Sequence, residues 1–256
     1  MNWKIIVVAT VLGTGCAAKK IMVENADFML ESQIQKRLPL YSAQKVSLSK
    51  DIDQFLNEQK PFLKDALPVL NNVELNVNKV DDQYYYLKGL YDKLAYNFSS
   101  FMSKHMAQLD QKQQKDFIAV LRKENEKISK TAASDIMDKV HDRFQKLFGR
   151  ETKEQEKILD SFKTHFKERN KERLERRKNL HLKFQEIYSQ DLSNEGRATQ
   201  FLNAFKEYQL RAVDADSQRD LIKKILPTLD KKQKDIFHGR IQELKEILAY
   251  FIEADY

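Results

Sequence analysis

Cysteine occurs once in the 256 residues, which excludes an intrachain disulfide and any thiolate-based zinc centre within one chain. Glycine is scarce, at 6, and proline scarcer, at 4. That excludes collagen-like chains, glycine-rich phosphate loops and turn-dense all-β folds. The histidines His105, His141, His165, His181 and His238 form no metal-spaced pair, and neither a Gly-x-Ser-x-Gly elbow nor a His-Glu-x-x-His helix occurs. Beyond residue 16 no apolar run approaches the roughly 20 residues a spanning helix requires. What is abundant is charge, 45 Lys and Arg against 38 Asp and Glu, beside 41% hydrophobic residues. This composition, at this length, predicts one or two helical domains with a buried core.

The N-terminus reads as an export signal. Lys4 precedes an apolar run from Ile5 to Leu12, and Gly13-Thr14-Gly15 lead into the lone Cys16. The run is too short to span a bilayer, and small residues stand at the cut. The position of Cys16 resembles the lipobox of bacterial lipoproteins, in which the cysteine thiol takes diacylglycerol and becomes the new N-terminus. Lipoboxes carry leucine three residues before the cysteine; here Gly13 stands there, with Leu12 one step earlier. The resemblance implies a signal peptide over 1–15, an anchor linker over 16–23 and a lipid-held body facing the periplasm. Ala17 after the cysteine points to the outer membrane in such families. Each buried methylene contributes about 0.8 kcal/mol, so several acyl chains hold durably.

The body is predicted all-α. Phe117, Leu121, Ile128, Ile136, Val140 and Phe144 recur at helical intervals, as do Ile241, Leu244, Leu248 and Ile252. Long helices are expected near 24–38, 48–70, 79–107, 110–148, 152–189, 194–223 and 229–254, antiparallel in one elongated bundle over 24–256, with sub-bundles 24–107 and 108–256 as a possible division. Residues 72–80 alternate polar and apolar, but a lone strand has nothing to pair with, so they read as an extended linker.

A short motif repeats at the expected helix starts. Leu109-Asp110-Gln111-Lys112-Gln113 matches Leu229-Asp230-Lys231-Lys232-Gln233; Thr152-Lys153-Glu154-Gln155 is a looser copy, and Leu48-Ser49-Lys50-Asp51, followed by Ile52, a degenerate fourth. Asp or Thr caps the first turn, and glutamine three residues on reaches back to the cap's own N–H, completing a capping box. This Leu-(Thr/Asp)-x-x-Gln pattern in a basic, exported helical chain resembles Spy/CpxP-type periplasmic chaperones. Taken with Cys16, Asn25-Ala26-Asp27-Phe28, Arg122, Glu124-Asn125-Glu126 and the segment Phe144–Gln155, the chain is similar to an uncharacterised family of all-helical bacterial lipoproteins. The first resemblance implies chaperone activity. The second carries no activity to transfer.

Basic charge concentrates in residues 163–183, which hold nine Lys and Arg and three acids. Along the helix, the stripe Leu159, Phe162, Phe166 runs into Arg169, Arg173 and Arg177 before apolar residues resume at Leu180, Phe184 and Ile187. Arginines thus stand where core residues are expected. One reading is a solvated, salt-bridged arm. The other is a site for an anionic partner built from Arg169, Arg173, Arg176, Arg177 and Lys178, since the guanidinium fork binds carboxylate and phosphate bidentately. Tyr84, Tyr85 and Tyr86 are a second candidate contact, because three consecutive rings cannot all face one core.

The sequence therefore predicts a lipid-anchored, non-enzymatic binding protein of the cell envelope, holdase-like through its basic helix. Its expected partners are the membrane, by way of the lipid, and unfolded or acidic envelope proteins. Alternatives are a scaffold lipoprotein with one envelope partner, or a binder of anionic membrane or cell-wall surfaces. No cofactor, metal or nucleic acid is implied.

Overall fold

The structure, a computed structural model, describes residues 23–130, 133–210 and 216–256; Cys16, the signal segment and nearly all of the anchor linker lie outside the described residues. Among the described residues there are ten α-helices and no strand. They are α1 (Ala26–Gln35), α2 (Ser42–Asn71), α3 (Val80–Ala107), α4 (Gln111–Ser129), α5 (Ala133–Phe148), α6 (Lys153–Ser161), α7 (Lys163–Ser189), α8 (Asn194–Leu210), α9 (Asp216–Ile225) and α10 (Lys231–Glu253). No helix among these residues is long and apolar enough to cross a membrane. The all-α expectation holds, and residues 73–76 form the extended link before a 3-10 turn at Val77–Lys79.

Several boundaries differ from the periodicity. The helix expected at 48 starts at Ser42, because Pro39 and the extended Tyr41 stop the chain there. The run 110–148 is two helices, α4 and α5, and 152–189 divides at Phe162 into α6 and α7. One core draws on Leu30, Ile34, Leu48, Ile52, Phe101, Met106, Phe117, Leu180, Phe184 and Phe201, from both sides of residue 107. A second, smaller core joins Val80, Phe144, Leu159, Ile225 and Leu229. α3 runs from the second core to the first; at 28 residues it is about 42 Å long.

The motif glutamines join the helix starts in two couples. Gln113 of α4 pairs with Gln44 of α2, each amide donating to the other's oxygen at 2.5 and 3.3 Å. Gln155 of α6 and Gln233 of α10 do the same at 2.8 and 2.9 Å. Each glutamine also donates to the carbonyl five residues before its partner: Gln113 to Pro39 (2.7 Å), Gln44 to Gln108 (3.4 Å), Gln233 to Arg150 (3.0 Å) and Gln155 to Thr228 (3.0 Å). Each oxygen accepts its own cap's N–H as well, from Tyr41, Asp110, Thr152 and Asp230. All four carboxamides thus use two donors and two acceptors, their full capacity. The fourth motif copy is therefore Leu40-Tyr41-Ser42-Ala43-Gln44, not the segment at Leu48, which lies a turn and a half inside α2.

Gly149 ends α5 with φ +80°, the left-handed conformation that costs an L-residue roughly 1–2 kcal/mol. A methyl there would also meet Ile236 Cδ1 at 2.7 Å. The turn sets the Arg150 carbonyl that receives Gln233. Gly149→Ala is expected to cost about 2 kcal/mol, read as a lower midpoint in denaturant. An unchanged midpoint would show that the turn relaxes freely.

Candidate functional site

Between the two cores the apolar packing stops: no residue from 81 to 98 on α3 is buried, and none from 163 to 176 on α7. The basic helix crosses this waist. It is not a solvated arm, because Arg177 is only 3% exposed. Its Nε donates to Asn125 Oδ1 at 3.1 Å and a terminal nitrogen to Glu124 Oε2 at 3.0 Å. Glu124 also pairs with Arg37 Nε at 2.9 Å, tying the turn after α1 to α4 and α7. Arg177 is thus occupied within the protein. Lys178 lies on the solvent side, paired with Glu175 at 2.8 Å.

Asn125 in turn lies 2.7 Å from His181 Nδ1 through its amide nitrogen. With Nδ1 accepting, the imidazole proton sits on Nε2. Burial, and next the Arg177 charge, push the His181 pKa down to about 3. In the unfolded chain the same group titrates near 6.5. The unfolded state therefore binds the proton first as pH falls, and stability drops from about pH 6.5 downward at no more than ~1.4 kcal/mol per unit. Burial lowers His105 as well, which acts in the same direction. Between pH 7 and 4.5 the His181 loss is expected to be about 2 kcal/mol. Denaturant titrations at both values test this; a His181→Gln variant should show a shallower dependence, and an equal one would exclude His181.

Arg169 and Arg173, one helical turn apart on α7, are half-buried and have neutral partners only among the described residues. Arg173 donates to Asn170 Oδ1 at 2.7 Å, and the Gln218 oxygen of α9 accepts both terminal nitrogens of Arg169. The Gln218 amide lies 3.5 Å from the Tyr84 hydroxyl. Arg176 stacks over Tyr208 of α8 at 5.9 Å. Burial lowers the pKa of Arg169 and Arg173, and repulsion from Arg176 and from Arg143 of α5 adds to it. Among the described residues no carboxylate forms an ion pair with Arg169 or Arg173, and Arg173 Nε is buried without a hydrogen-bond partner. Asp81 of α3 pairs with Lys223 (2.7 Å) and Arg219 (3.6 Å) of α9, Asp216 with Arg219, and Glu207 of α8 with Lys183.

Of the three tyrosines, Tyr84 is half-buried, while Tyr85 and Tyr86 stand 55% and 46% exposed. The Arg219 guanidinium of α9 lies over the Tyr84 and Tyr85 rings at 5.7 and 4.7 Å.

A cleft of about 350 Å³ opens between α2 and α3, lined by Asp51, Glu58, Tyr96, Asn97, Ser100 and His105 among others. His105 Nε2 lies 3.4 Å from Asp51, and its ring lies tilted against Phe101 with centroids 4.8 Å apart. Among the described residues no hydroxyl is hydrogen-bonded to that imidazole, and no group of three or more His, Asp or Glu is placed to hold a metal ion. Comparisons of the chain with family models, with curated proteins and with solved structures returned no match.

Proposed function

We propose that this chain is a lipid-anchored protein of the bacterial cell envelope, held through Cys16 and facing the periplasm, that works by binding an anionic partner. The anchor rests on the residues before Cys16 and on their likeness to a lipobox. The binding role rests on one observation: Arg169 and Arg173 stand half-buried in the waist with only neutral partners among the described residues. A charge held this way costs stability unless something completes it. Proteins retain such costs where they bind or react. Recognition of anionic groups is preferred to a general holdase because the half-buried arginines are the feature that asks for a partner; Tyr85 and Tyr86, 55% and 46% exposed, remain available as an aromatic contact beside them.

Two measurements test the two halves. Metabolic palmitate labelling should be lost in Cys16→Ser; labelling that persists removes the anchor. Retention of the full-length protein on a polyanionic matrix should fall to lower salt in the Arg169→Glu, Arg173→Glu double variant while Lys178→Glu changes it little. Equal elution of all three overturns the binding role.

A second reading has the α2–α3 cleft in its favour, where Asp51, Glu58 and His105 converge on one opening. Under it the chain acts on a small polar substrate, with Asp51 orienting a neutral His105. It lacks a nucleophile in contact with His105, so binding is the preferred conclusion.

A further inference from the structure

We propose that the cleft between α2 and α3 binds a short linear diamine in its protonated form, an aliphatic chain with an ammonium group at each end. The proposal goes beyond the anion-binding reading and stands without it.

The pattern of the walls sets the shape of the ligand. On α2, Asp51, Phe55 and Glu58 follow one another at helical intervals and share one face. On α3, Asn97, Phe101 and His105 do the same. The two helices run antiparallel here. His105 stands opposite Asp51 (3.4 Å), the Phe101 ring lies against Phe55 (centroids 5.0 Å apart), and Asn97 donates to Gln59, the residue after Glu58 (2.8 Å). Both walls therefore read polar, aromatic, polar. Such a cleft matches a chain that is polar at both ends and apolar between them. Its volume of about 350 Å³ suits a small molecule, and Ser100 on the same lining is too small to fill it.

Charge sets the sign. Asp51 and Glu58 stand about 10 Å apart along the axis of α2. Asp51 meets Ser47 at 3.5 Å and His105, and Glu58 accepts from Gln54 at 2.7 Å. Neither carboxylate has a lysine or arginine partner among the described residues. Burial lowers the pKa of His105, so the imidazole is neutral at pH 7 and leaves Asp51 uncompensated. Two cations stand nearby: the exposed Lys104, next to His105 in the chain, and Lys206 of α8, over the Tyr96 ring at 5.1 Å. Neither pairs with Asp51 or Glu58. The whole chain carries +7, so a dication gains nothing from the overall field and needs these two carboxylates.

A buried group without a hydrogen bond completes the site. His105 is 7% exposed, and its 3.4 Å contact with Asp51 exceeds the roughly 2.7–3.2 Å of a formed N–H···O bond. No other hydrogen bond to its ring occurs among the described residues. A neutral imidazole has one accepting nitrogen, and an ammonium group has three donors and no acceptor. One ammonium group then meets Asp51 and His105. The other meets Glu58 and the oxygen of Asn97, whose amide nitrogen is turned to Gln59. The methylenes between them cross Phe55 and Phe101.

The test is thermal unfolding of the full-length protein with cadaverine, with ε-aminocaproate, in which a carboxylate replaces one ammonium group, and with sodium chloride at matched ionic strength. Cadaverine should raise the midpoint by roughly 5 °C at about a hundredfold excess over Kd. Asp51→Asn and Glu58→Gln should each bind it about tenfold more weakly. Ser100→Leu, which narrows the cleft and leaves every charge in place, should not respond. Glu58 is exposed, so Glu58→Gln keeps the fold even where Ser100→Leu does not. Lys104→Gln should bind about two- to threefold more tightly, as a like charge is removed. No rise above matched salt in the wild type, or an equal rise in Asp51→Asn and Glu58→Gln, overturns the proposal. Equal or tighter binding of ε-aminocaproate overturns the assignment of two ammonium ends, as does weaker cadaverine binding in Lys104→Gln. Retention on the polyanionic matrix is read separately, so failure of the cleft and failure of the anion-binding reading are distinguishable.

Discussion

Gln155→Ala is expected to lower the unfolding free energy by about 3–5 kcal/mol. The Gln155 side chain is fully buried, at 0% exposure, and makes four hydrogen bonds that nothing nearby can replace. Its loss strands the Thr152 N–H and the Thr228 carbonyl and takes one bond from each end of the Gln233 amide, which keeps only Arg150 and the Asp230 N–H. Each buried polar group left unpaired costs about 1–3 kcal/mol. For a chain of this size the melting midpoint should fall by roughly 10 °C. Gln155→Glu should be at least as damaging, since a carboxylate cannot donate to Thr228 or Gln233 and brings a charge into a dry site. Gln44→Ala, at the half-buried member of the other couple, should cost only about 1–2 kcal/mol because water reaches the vacated groups. The Gln155→Ala, Gln233→Ala double variant should cost clearly less than the sum of the two singles, as removing both partners leaves fewer orphans. Equal losses at Gln44 and Gln155 would mean that the amide pairs contribute no more than ordinary caps.

The capping boxes were legible in the sequence because they are local: Asp110 and Gln113, or Thr152 and Gln155, lie one turn apart, and the spacing alone implies the bonds. The second use of those glutamines was not legible. Gln113 meets Gln44 across 69 residues and Gln155 meets Gln233 across 78, and no periodicity encodes which helix start faces which. The copy at Tyr41 escaped for a related reason. Its cap residue is an aromatic whose contribution is the backbone N–H, so a search for Asp or Thr passes over it. The waist was half legible. Arginines at the apolar positions of α7 announced that the core was interrupted, and the half-buried Arg169 and Arg173 bear this out. The distinction between Arg177, which is paired inside, and Arg169, which is not, depends on Glu124 arriving from α4, a matter of tertiary arrangement that the helical wheel of α7 cannot contain.

That same pairing sets an inverted order of costs. Glu124→Gln should destabilise by about 3–5 kcal/mol, more than Arg177→Met at about 2–3 kcal/mol, although Arg177 is the more deeply buried partner. Removing the Glu124 charge leaves a guanidinium that is 3% exposed facing only neutral amide oxygens, and leaves Arg37 with no anion, only the neutral Gln33. Arginine cannot escape by deprotonating, so the full desolvation cost appears. Removing Arg177 leaves Glu124 still paired with Arg37 and 28% exposed to water, and methionine refills most of the volume. The second change also relieves His181 of the cation that helps keep it neutral, so its folded pKa should rise and the acid loss of stability should become shallower. The double variant Glu124→Gln, Arg177→Met should be more stable than Glu124→Gln alone, because the stranded charge is gone. Denaturant midpoints of the three variants at pH 7 decide it. A double variant that falls below both singles would show that the two residues contribute independently and that this buried pair is not a unit.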